Sequence, residues 1–364
     1  MSELVLSIKQ SNRIRALDIL DKRLGTSTDA LALHNEIFPV AQLVLNPPFI
    51  NPHFPKMYRI FRELFDYLEP GEVTDLVRVE VSEYAQRMKL EEFPRSKDLS
   101  HASDDELRDA IRRYDRELVA NMLLYIKFKE GNAGLSRRLL KIGSGYLNSS
   151  LGHSISCTAF MLLELANWNV SDSWPAISML SEFFCKGGFA DTPENLAGGA
   201  SPSMVDDNIL RAVSGTGIVN LHDTITIYSA ERSQSPVDEE LHNHLLGSWL
   251  QYLDDKEPVP FKVDGVNAVK IDDYDAFFNL FANKETERLV ASSMLMLPSE
   301  VGRRRLGRFI IKGLCDSYQS RYNPHVFTGL GSLMWVLNRF RMTPLVPETA
   351  LYQYLNYCLS EIKL

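Results

Sequence analysis

Four of the eight histidines in this 364-residue chain share a setting that could carry chemistry. They are His34 in ALALHNEIF, His153 in SLGHSISCTAF, His222 in VNLHDTITIYSA and His325 in NPHVFTGLGSLMW. Each lies at or near the start of an expected helix, on a face unlike the main apolar stripe. Cys157, Phe160, Glu164 and Asn167 follow His153 at helical steps. Ile225, Thr226 and Ser229 follow His222, and Thr328, Gly329 and Ser332 follow His325. Small and polar neighbours leave room for a ligand, where a packing face would carry Leu and Ile. Neutral imidazoles from separate helices can hold iron, zinc or copper, and the same ring can act as a general base near neutral pH. A histidine at a helix start also serves as a cap or a carbonyl partner, so the same residues are readable as core groups. His53 in a proline-rich loop, His101, and the closely spaced His242 and His244 carry less of this pattern.

The elements that must position these rings are helical. Met57, Ile60, Phe61, Leu64, Phe65 and Leu68 fall at three- and four-residue steps over 55–68. Ser103 and Glu106 form a capping-box pair opening a helix expected over 103–128. Further helices are expected at about 154–167, 174–186, 238–254, 273–282, 286–296, 299–319, 325–340 and 347–362. Strand-like alternation is scarce, with 259–271 the best case for a hairpin or an extended loop. The reading is an all-α chain: a single irregular helical bundle over 1–364 with a histidine-lined central pocket. The Gly-, Pro- and Ser-rich stretch 187–204 is suited to form a lid. A chain of this length can also divide into two intimately packed domains.

Composition excludes several classes. With 45% hydrophobic and 24% charged residues the chain is globular in type. A formal charge of −8 with interspersed signs argues against nucleic acid as partner. Arg303, Arg304, Arg305 and Arg308 form the densest basic cluster, read as a face with local acidic partners. No run approaches the ~18 apolar residues of a membrane span, and the charged N-terminal segment lacks a secretory core. Cys157, Cys185, Cys315 and Cys358 are scattered through apolar runs, as free thiols of a cytoplasmic protein would be. Phosphate-loop, dinucleotide-fingerprint, HExxH and GxSxG motifs are absent. The apolar helix 347–362, with Leu351, Tyr354, Leu355 and Leu359, offers a face for a homodimer.

Read in order, the four histidine segments resemble the questin oxidase-like family. The stretch 112–167 is similar to its helices leading to a histidine followed by an Ala-containing apolar helix. LHDTITIYSAER (221–232) and PHVFTGLGSLMW (324–335) are similar to its later histidine segments. LHNEIFPVAQLVL (33–45) is similar to the opening one but has Ile37 and Phe38 where a second histidine stands, and Thr328 occupies a lysine position. The resemblance implies an oxidoreductase that uses O₂ to oxidise or open an aromatic, polyketide-like small molecule. It implies His34, His153, His222 and His325 as catalytic groups or ligands of a non-haem iron or other transition metal. Phe160, Tyr228 and Trp335 would line the cavity, and NADPH use is left open. A non-enzymatic helical scaffold, or a protein that binds a small hydrophobic molecule without turning it over, is the alternative. On it, the histidines are core residues.

Overall fold

Helices form where the apolar spacing asks for them, and among the described residues no strand appears. The computed structural model describes residues 1–25, 29–96, 103–191, 200–234, 237–253 and 256–362. His101 and residues 192–199 of the expected lid lie outside these. Backbone proximity groups the chain into two units: 1–59, 84–202 and 229–252, and 60–83, 203–228 and 253–364.

The first unit is built on the helical span Arg116–Gly143, broken by a non-helical Gly131 (φ 70°), against which Trp174–Gly187 and His153–Leu165 pack. Sequence periodicity merges 103–128 into one helix, but the chain breaks there. The Ser103–Glu106 capping box forms as expected, and its helix ends at Arg112. Tyr114 turns left-handed (φ 60°), and Asp115 caps a new helix by accepting from the Leu118 amide at 3.2 Å. Trp174, Phe160, Phe183 and Phe184 are fully buried in this unit. Each contributes on the order of 2–3 kcal/mol of apolar burial.

The second unit packs Glu300–Asp316, His325–Arg339 and Val346–Glu361 with Tyr274–Ala282 and Thr286–Met294. Residues 259–271 carry no ladder; they run as an irregular segment with one turn, Val266 N–H donating to the Val263 carbonyl at 3.0 Å. Leu351, Tyr354, Leu355 and Leu359 are buried inside this unit, so the face expected to serve a dimer is occupied within the fold. The arginine cluster meets local partners. Arg308 pairs with Glu69 and Glu72, Arg304 with the Asp66 carbonyl, and Arg303 is buried against Asn338 and the Leu297 carbonyl. Among the described helices none is long and apolar enough to cross a membrane.

Candidate metal centre

In the first unit the opening turns of the helices His53–Leu64 and His153–Leu165 bring side chains one turn apart into contact. His53 and Lys56 meet His153 and Ser156, and Cys157 lies within charge range of Lys56. Pro52 and Pro55 make the first segment look like a loop. A proline in the first helical turn loses no needed hydrogen bond, so the helix starts at His53 itself. The start of the other helix is built by two left-handed residues, Leu151 and Gly152. Ser150 Oγ then accepts from the Ser154 amide, and Ser154 Oγ donates to the Gly143 carbonyl at 2.7 Å.

The two rings, both buried, stand 2.8 Å apart, Nε2 to Nε2, and nearly perpendicular. Their outer nitrogens decide which atom carries each proton. His153 Nδ1 lies 2.7 Å from the Ser150 carbonyl, which only accepts, so Nδ1 is protonated and Nε2 holds the lone pair. His53 Nδ1 lies 3.1 Å from Asn46 Nδ2, which only donates, so His53 carries its proton on Nε2. The chain of donors therefore runs from Asn46 through His53 and His153 to the Ser150 carbonyl. His53 and His153 belong to a buried group of imidazoles spaced closely enough to hold a metal ion.

Lys56 is fully buried beneath the pair, its Nζ 3.5 Å from Ser156 Oγ. Burial pushes its amine below the ordinary 10.5, against the pull of nearby Cys157, and burial pushes the Cys157 thiol up. Because the folded chain holds that proton less tightly than the unfolded one, stability rises with pH through the window below 10.5. Lys56→Met should therefore raise stability at pH 7 by about 1–3 kcal/mol, the penalty of a poorly partnered buried cation. The gain should shrink as pH approaches 10.5. Thermal melts of both proteins across pH 7–10 check this; a variant less stable at every pH would contradict it.

His34 stacks on Tyr58 at 4.0 Å, and the Tyr58 hydroxyl donates to its backbone carbonyl. Glu36, beside it, is held below its usual carboxylate range by Arg23.

In the second unit His222 and His325 approach edge to face, ring centres 4.6 Å apart. His222 Nδ1 donates to the Ile218 carbonyl at 2.6 Å, and His325 Nδ1 to Asn323 Oδ1 at 2.7 Å. Both rings thus keep the Nε2 lone pair, the form that a metal-ligating histidine takes when an outer oxygen holds its other nitrogen. The small residues following His325 do not leave open space. A Cβ on Gly329 would lie 2.9 Å from Leu221, and one on Gly331 would lie 3.3 Å from Ile60 and Tyr228. They let helices approach closely instead. Tyr228 and Trp335 are neighbours at 5.9 Å, with the Tyr228 hydroxyl bonded to Glu63. Asp223 is buried and paired with Lys256.

No protein-family model matches the chain, and comparison with curated proteins and with solved structures returns no match.

Proposed function

We propose that this chain is an oxygen-dependent oxidoreductase of the questin oxidase-like type, oxidising or opening an aromatic, polyketide-like molecule at buried imidazoles with a transition metal, iron first, as cofactor. The observation that carries this reading is the His53–His153 pair. Its nitrogens are 2.8 Å apart, close to the roughly 3 Å between adjacent ligands bound at about 2.1 Å from one ion. Neutral imidazole suits iron, copper and zinc alike. A bound redox metal would supply the electron path to O₂ that closed-shell organic molecules lack.

The chain's own groups have definable roles. The Ser150 carbonyl orients His153 so that its Nε2 lone pair faces the site. Lys56, one turn beyond His53, is buried, and that burial lowers its affinity for a proton. His222 and His325, each with its Nδ1 tied to an oxygen, also keep Nε2 lone pairs. Four free cysteines, three of them buried, suit a reducing, cytoplasmic setting. One observation favours the scaffold reading for part of the set: the stacking of His34 on Tyr58 is a packing role.

Oxygen uptake tests the proposal. Protein reconstituted anaerobically with Fe(II) should consume O₂ on addition of a member of a panel of anthraquinones, quinols and phenols, with and without NADPH. The uptake should disappear in His153→Ala. Metal-loaded protein that consumes no O₂ with any of them would contradict the activity.

A further inference from the structure

We infer that Asn46 sets the ring form of His53, and so decides whether the His53–His153 pair is a hydrogen-bonded couple or two metal-facing lone pairs. The inference rests on the metal-centred reading above, but its core concerns the metal-free protein. As the structure stands, only one lone pair lies between the rings, on His153 Nε2, and it already accepts the His53 Nε2–H at 2.8 Å. Ligation through both Nε2 atoms requires the His53 proton to leave Nε2 and to return on Nδ1. Nδ1–H would then confront the Asn46 Nδ2 donor now 3.1 Å away. The conflict is relieved by a half-turn of the Asn46 amide, which presents Oδ1 as the acceptor. The balance is a tautomer change, with no net proton gained or lost.

Asn46 is well placed for this. Its backbone is pinned in a turn, its carbonyl accepting the Phe49 amide at 2.9 Å, and the Phe49 ring stands edge-on to His53 at 6.2 Å. Only the terminal amide has to rotate. In a ligated protein the Asn46 oxygen would hold the His53 ring from outside, as the Ser150 carbonyl holds His153. Asn46 is thus a positioning residue that acts through His53.

Nitrogen-15 NMR of the histidine rings in metal-free protein is the direct test, with Asn46→Asp and Asn46→Leu as variants. Wild type should show His53 protonated on Nε2 and His153 on Nδ1. Asn46→Asp, which can only accept, should put a proton on His53 Nδ1. Asn46→Leu, which neither donates nor accepts, should leave His53 protonated on Nε2, because His153 Nε2 still accepts that proton. Co(II) affinity should rise roughly tenfold in Asn46→Asp, the size of an outer-partner effect. It should rise less in Asn46→Leu, which separates ring form from added charge. Wild-type His53 protonated on Nδ1, or ring forms unchanged by Asn46→Asp, would overturn the inference. Ring forms as expected with no Co(II) bound by any variant would uphold the assignment of Asn46 and sink the metal-centred function instead.

Discussion

Replacing His153 with alanine is expected to abolish transition-metal binding while leaving a folded helical chain. The ring supplies the one Nε2 lone pair already directed at its neighbour, held there by the Ser150 carbonyl. Alanine removes that donor atom, and a single remaining histidine of the pair is a poor site for any transition metal. The variant also leaves the His53 Nε2–H and the Ser150 carbonyl without this partner. That costs about 1–3 kcal/mol for a buried polar group, well inside the 5–15 kcal/mol that keeps a domain folded. Far-UV circular dichroism should therefore be unchanged while metal per mole of chain falls to background. Full metal content in a folded His153→Ala protein would remove His153 from the site.

A second large effect should come from a residue that touches no ligand. Gly143 ends the helical span Arg116–Gly143 of the first unit, and a Cβ there would lie 2.7 Å from the Ser154 carbonyl, in the first turn of the helix that begins with His153. Backbone cannot swing aside as a flexible side chain does, so Gly143→Ala must push these helices apart. It would also strain the 2.7 Å bond from Ser154 Oγ to the Gly143 carbonyl. The expected loss is about 1–3 kcal/mol, a fall of several degrees in Tm. Because His153 rides on the displaced turn, metal affinity should fall roughly tenfold as well. Gly25→Ala is the control, since nothing lies within 4 Å of a Cβ there. Equal stability of the two variants would show that the Gly143 contact does not constrain the site.

The helical character was legible because its period is local. The segments expected at 273–282, 325–340 and 347–362 appear as Tyr274–Ala282, His325–Arg339 and Val346–Glu361. The break at 113–115 was not legible, since apolar spacing continues through it; the structure shows Asp115 capping the new helix. The site was legible in part. His153 stood out, but its partner His53, a hundred residues away, was hidden between Pro52 and Pro55, residues that punctuate loops and open helices alike. Lys56 could have been found as the residue one turn beyond His53, yet its burial depends on Ser156 and Cys157 of a distant helix. Periodicity tells which side chains share a face and is silent about what packs against it. Gly329 and Gly331 illustrate the ambiguity: small residues beside a histidine signal either ligand space or close helix approach, and here they serve approach.

The most direct test of the account is the metal content of freshly purified, tag-free protein, measured per mole of chain and repeated after anaerobic reconstitution. Close to one transition-metal ion per chain, iron foremost, is expected, and it should be lost in both His53→Ala and His153→Ala. Protein that carries no metal and takes none up would contradict it, and would leave the paired imidazoles as hydrogen-bonded core groups.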